Sequence, residues 1–206
     1  MDKKMETYLI HYIERIFQEF RFAKLLLTEY SNLNDRILDH LDELKIASSF
    51  FKLSMQCFLN ELVLTLSKLF SNYKSFRKNG KDIFKLFRFI ESNNIDSAKI
   101  SRKELLEGIT KHRGIFSRFT LLFNNIFMWR NKCIAHYDKK YFLNPNKISV
   151  DAPFSREELS ELIDSTEIIL KDYEKWFLDY KDTFEYLNQC DINNALRMLA
   201  AYKAEH

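Results

Sequence analysis

The sequence predicts an all-α protein, and three observations carry that prediction. Glycine and proline are scarce, 3 and 2 in 206 residues, which removes the punctuation that hairpins and sandwiches need. Apolar residues recur at three- and four-residue steps over long stretches rather than alternating. Two Ser-x-x-Glu patterns, Ser101 with Glu104 and Ser155 with Glu158, each mark a helix start at which hydroxyl and carboxylate satisfy orphan backbone amides. With 46% apolar and 15% aromatic residues, the chain can bury one core. A single domain over 1–206 is expected, with about 182–206 as a C-terminal helical appendage.

The elements follow in order. A first helix is expected over about 2–30, because Met5, Leu9, Tyr12, Ile16, Phe20, Ala23 and Leu27 share one face. Cap and turn formers in SNLND, residues 31–35, predict a break there. Ile37, Leu38, Leu41 and Leu44 resume the pattern, and Phe50, Leu53, Phe58, Leu62, Leu66 and Leu69 carry an apolar helix to about residue 72. Whether 37–72 is one helix or two stays open. NYKSFRKNG, residues 72–80, reads as a basic loop, and KDIFKLFRFIE after it as a short amphipathic helix. A long helix starts at Ser101. A loop over about 142–154 follows, with Pro145 and Pro153 and a briefly extended KISVD, then helices over about 155–180 and 192–202.

Composition narrows the function classes. A formal charge of +3 is too small to indicate nucleic-acid binding by itself, so that case rests on local distribution. Cys57, Cys133 and Cys190 are odd in number and far apart, which fits reduced, mostly buried thiols in a cytosolic protein. The N-terminal residues mix charges with apolar side chains and show no signal-peptide pattern. No stretch approaches the roughly 18 uninterrupted apolar residues of a membrane span. A soluble cytoplasmic protein with no membrane partner is expected.

The chemistry concentrates in WRNKCIAHYDKKY, residues 129–141. Leu105, Ile109, His112, Phe116, Phe119, Phe123, Ile126, Arg130, Cys133 and Tyr137 follow one another at alternating four- and three-residue steps, a heptad-like seam. Arg130 thus puts a guanidinium where a neighbouring helix should pack, and a buried unpaired charge is costly. Either it pairs with an acid such as Asp138, or it lines a functional cleft. Asn131, Lys132, Asp138, Lys139 and Lys140 make a mainly basic island around His136, which suits a phosphate-bearing ligand.

The stretch RNKCIAH resembles the R-x4-6-H signature of HEPN domains (higher eukaryotes and prokaryotes nucleotide-binding), with Arg130 and His136 as the signature pair and five residues between them. RNK followed by AH and Asp138 is most similar to the AbiU-type abortive-infection branch. FFKLSMQCFLNELVLTLSKLF, KDIFKLFRFIE and the KIS stretch before SREELSELI also resemble that branch. Tyr137 directly follows His136, so the H-x-Y pattern of nucleotidyltransferase-regulated HEPN toxins is absent and that regulation is not carried over.

The resemblance implies an antiparallel HEPN-like bundle of long helices with a C-terminal helical extension. It also implies a metal-independent endoribonuclease with no cofactor: a toxin or antiphage abortive-infection effector, possessed of an RNA substrate, a homodimeric composite site, and an antitoxin or other defence-system partner. His136 would exchange protons and Arg130 would clamp the phosphate, with Asn131, Lys132 and Asp138 in supporting or substrate-positioning roles. On a regular helix the two catalytic candidates would lie about 120° apart and about 9 Å apart along the axis. Transesterification wants an acid and a base, and each chain offers one motif histidine, so a twofold dimer would supply both. Two rivals are weighed. Cys133 and His136 lack further Cys or His partners for a zinc site. A non-catalytic HEPN-like module for nucleotide, RNA or protein binding is the serious alternative.

Overall fold

A computed structural model describes residues 3–36, 44–45, 47–71, 82–93, 95, 97, 99–136, 138–178 and 191–205. The described chain is helical, with no strand beyond an isolated bridge between Ser97 and Ile100. Helix α1 runs over Lys3–Asp35 with a buried stripe of Leu9, Ile13, Ile16, Phe17, Phe20 and Ala23, and it packs on the helices that begin at Ser48, Ile83, Arg156 and Asp191. The break expected in SNLND does not occur. Leu33 inside it is fully buried against Phe51 and Leu196, and burying one leucine is worth about 1.5–3 kcal/mol. That outweighs the few tenths of a kcal/mol per residue by which Ser, Asn and Asp disfavour a helix.

Helix α2, Ser48–Leu69, lies along α1 and is continuous over that range. Most of the question about 37–72 and the expected basic loop at 72–80 fall outside the described residues. Helix α3, Ile83–Ser92, starts at Asp82, whose buried carboxylate accepts from the Lys85 amide at 3.0 Å and from the Ser71 hydroxyl at 2.7 Å. The Tyr12 hydroxyl donates to the Asp82 carbonyl at 3.1 Å. One aspartate therefore joins α1, the end of α2 and α3.

The long helix expected from Ser101 is two: α4, Arg102–Ser117, and α5, Thr120–Trp129, separated by a tight turn at Arg118 and Phe119. The seam survives the offset, since Leu105, Ile109, His112, Phe116, Phe119, Phe123 and Ile126 are all buried. Phe70 stacks on Phe123 at 4.7 Å and meets Phe116 edge-on at 5.3 Å, tying α2 to α4 and α5. His112 is packed and paired, with Asp172 3.1 Å from its Nε2 and the Trp176 indole stacked against it. Helix α8, Arg156–Phe177, and α4 both begin with complete capping boxes, as Ser155 and Ser101 predict.

Between α5 and α8 lie two short helices, α6 (Lys139–Leu143) and α7 (Lys147–Asp151). KISVD is thus helical, not extended. Ile148 and Ala152 both tuck into a small cluster with Tyr141, and a helical turn holds residues four apart within about 6 Å where an extended strand would set them about 13 Å apart. The chain continues to α9, Asp191–Glu205, whose Leu196 packs on Leu33 of α1. Cys57 is exposed, contrary to the expectation of mostly buried thiols, Cys133 is partly buried, and Cys190 lies outside the described residues. Phe51, Phe84 and Phe87 are core, whereas Phe50 faces solvent. Among the described residues no helix is long and apolar enough to cross a membrane.

Candidate functional site

The motif segment does not stay α-helical. Over Arg130–Ile134 the backbone widens into a π-helical turn, closed by the Ala135 amide donating to the Arg130 carbonyl at 2.7 Å. An i→i+5 bond slows the winding below the α-helical step, and such turns recur at functional sites. The regular-helix separation expected for Arg130 and His136 therefore does not apply. The chain bends at Ala135 and His136, and Asp138 then caps α6.

Packing on the far side of the turn holds this geometry. The Trp129 indole N–H donates to the Ala152 carbonyl at 2.9 Å, and the Asn125 amide donates to the Pro153 carbonyl at 2.6 Å. Met128, Trp129 and Cys133 pack against Tyr141, Ile148 and Ala152. Tyr141 donates its hydroxyl to Asp151 at 3.0 Å, and Lys140 pairs with the same carboxylate. Burial pushes the Cys133 thiol up, and the charge of Asp138 adds to that. Such a thiol is a poor nucleophile near neutrality.

Asp138 does not pair with Arg130, the sequence-level alternative. Its carboxylate takes Lys132 Nζ at 2.8 Å and the Lys140 amide at 3.0 Å. The hydrogen bond from Lys132, followed by that amide, holds the carboxyl below its usual range, and Asp138 raises Lys132 in return. These two residues thus brace the bend that carries His136. Asn131 and His136 are exposed, and among the described residues neither side chain has a hydrogen-bond partner.

Arg130 goes elsewhere. It is partly buried and lines a cleft of about 540 Å³ between α1 and the end of α2. Tyr8, His11 and Arg15 come from α1, Lys68 from α2, and Tyr12, Ile16 and Leu69 form an apolar floor. Arg15 is occupied by Glu19 at 2.6 Å. Among the described residues the Arg130 guanidinium has no acid partner. The cleft has the size of a small-ligand site, mostly apolar with a few polar groups. His136 does not line it.

One comparison with known proteins agrees with the family resemblance. A family model, AbiU2 of HEPN type, matches residues 7–198. The chain belongs to the AbiU2 family of HEPN domains. Its assignment is to a HEPN abortive-infection module, and the all-α bundle is the fold of that module. No curated protein and no solved structure matches the chain. In this HEPN domain the sequence pattern identified the π turn's arginine but missed its neighbours across the cleft. Tyr8, His11, Tyr12, Arg15, Ile16 and Glu19 recur at helical spacing, a stripe mixing aromatic and charged side chains that was the available signal.

Among the described residues no group of three or more His, Cys, Asp or Glu side chains is placed to hold a metal ion.

Proposed function

We propose that this HEPN domain is a metal-independent endoribonuclease, a toxin or antiphage abortive-infection effector, whose active site is completed across a homodimer axis. The observation that carries the reading is Arg130: a guanidinium on an otherwise apolar seam, without an acid partner among the described residues, opening into a cleft. A partly buried guanidinium facing a cleft is suited to an anionic ligand, and a phosphodiester supplies one with bidentate geometry.

In the proposed reaction the RNA 2'-oxygen bonds to phosphorus as the bond to the 5'-oxygen breaks, leaving a cyclic phosphate and a 5'-hydroxyl. His136 of one copy takes the proton from the 2'-hydroxyl, and His136 of the second copy protonates the leaving 5'-oxygen. Arg130 stabilises the charge growing on the non-bridging oxygens. Asn131 contacts the RNA backbone, and the Lys132–Asp138 pair positions the bend. Phe142, Leu143 and Val150 are exposed on the two short helices after the motif, an apolar surface that a second copy would cover.

One observation favours a non-catalytic nucleotide- or RNA-binding module instead. Among the described residues His136 has no third group to orient it, as a general base ordinarily has. Cleavage of single-stranded RNA in excess chelator, with product-end mapping, decides between the two. The expected result is a cyclic phosphate product from the wild type and none from a folded His136→Ala variant. Cleavage that survives in that variant, or stops with chelator in the wild type, overturns the mechanism. A stable monomer by light scattering overturns the composite site.

A further inference from the structure

The Arg130 cleft is not filled by the motif. Only Arg130 enters it from the motif segment, and its remaining lining comes from α1, from the end of α2 and from Ser71 just after it. Two features make it more than a groove beside a charge. Lys68, exposed at the end of α2, lines the same cleft as Arg130, and among the described residues it too has no acid partner. Tyr8, 45% exposed, presents a ring at the cleft edge while contacts with Phe89 at 5.2 Å and Tyr12 at 6.0 Å hold it in place. Two cations and a fixed aromatic ring over an apolar floor are what a nucleotide in a single strand requires: a clamp for phosphate and a platform for a base.

We propose that the cleft between α1 and α2 seats the nucleotide next to the scissile phosphate, with Tyr8 stacking on its base and Lys68, beside Arg130, holding its phosphate. This rests on the ribonuclease reading for the identity of the strand. It goes beyond that reading by assigning substrate contacts to residues outside the motif. His11 lines the same cleft. Stacking tolerates every base, so the cleft fixes position and affinity and adds little sequence preference.

The test uses the full chain and a fluorescent single-stranded oligonucleotide with 2'-O-methyl groups throughout. Blocking the 2'-oxygen prevents cleavage, so binding is read alone. Tyr8→Ala is expected to weaken binding about tenfold, with Tyr8→Phe keeping wild-type affinity because stacking needs the ring and not the hydroxyl. Lys68→Ala is expected to weaken binding to all sequences alike and to reduce the salt slope by about 0.7, the value for one phosphate contact on a single strand. Lys52→Ala, an exposed lysine of α2 outside the cleft, should bind as wild type.

Unchanged affinity and salt slope in Lys68→Ala, which removes a solvent-facing side chain and leaves folding intact, overturn the proposal. No binding of the oligonucleotide at all also overturns it. Displacement of the probe by adenosine 5'-monophosphate at the oligomer's own affinity overturns it in favour of a free-nucleotide site. The two readings fail distinguishably. Wild-type cleavage with KM unchanged in Tyr8→Ala and Lys68→Ala removes the cleft proposal alone; cleft-dependent binding without cleavage of ordinary RNA removes the ribonuclease reading and leaves the cleft as a single-strand binding site with no scissile phosphate beside it.

Discussion

Replacing each of two glycines of α4 by alanine should move stability in opposite directions. In a helix interior alanine is favoured over glycine by about 0.5–1 kcal/mol, and that gain applies to both positions. At Gly114 an added Cβ meets nothing within 4 Å, so the gain stands alone. At Gly108 the same Cβ would lie 2.6 Å from Cη2 of Trp176 and 3.2 Å from its Cζ2, inside the roughly 3.5–4.0 Å at which carbons attract. The indole has little freedom to retreat, because it stacks on His112 at 5.6 Å and meets Tyr173 at 5.1 Å. Overpacking of this kind costs about 1–3 kcal/mol. Subtracting one variant from the other cancels the helix preference and leaves the clash. At this chain length about 1 kcal/mol moves the midpoint by roughly 2–4 °C, so Gly108→Ala should melt about 2–12 °C below Gly114→Ala. Thermal unfolding followed by circular dichroism measures the difference. If Gly108→Ala melts at or above Gly114→Ala, the indole is not pinned and the α4–α8 packing described above is wrong.

Three further outcomes are expected. Burial pushes the His112 imidazole below its ordinary value, with Asp172 opposing in part; the unfolded chain then takes up the proton first, near its ordinary value of about 6.5. Stability is therefore full above about pH 6.5 and falls as pH drops from there through the folded value, and urea midpoints of His112→Phe should fall less steeply than wild type over that window. Trp129→Phe leaves the buried Ala152 carbonyl without its donor, an expected loss of about 1–3 kcal/mol in denaturant unfolding; an unchanged midpoint would show that this tie does not hold the motif turn. Phe142→Glu with Val150→Glu alters two exposed side chains and should leave monomer stability within about 0.5 kcal/mol per site, while light scattering reports a shift from dimer to monomer and RNA cleavage falls with it. A dimer that survives the double change places the interface on another face.

Much of the bundle was legible because periodicity and capping are local. Ser101 and Ser155 announced two helix starts through residues three positions away, and the buried seam from Leu105 to Ile126 was readable from spacing. SNLND and KISVD were misread for one reason. Their backbone state depends on Leu33, Ile148 and Ala152 finding partners remote in sequence, and burial there outweighs local preference. Arg130 stood out because a guanidinium on an apolar seam is anomalous in any fold. Tyr8, His11 and Lys68 did not, since an aromatic or a cation on an amphipathic helix is ordinary until another element faces it.

By itself the sequence determined the helical class, the two capped starts and the presence of one arginine and one histidine in an R-x5-H pattern, all properties of neighbours along the chain. Tertiary structure alone decided that the motif turn widens into a π helix, that Asp138 serves Lys132 rather than Arg130, and that Arg130 shares a cleft with residues from α1 and α2. The physical reason is that a guanidinium's partners are set by what packs opposite it, and in this protein the opposing wall comes from residues more than fifty positions away.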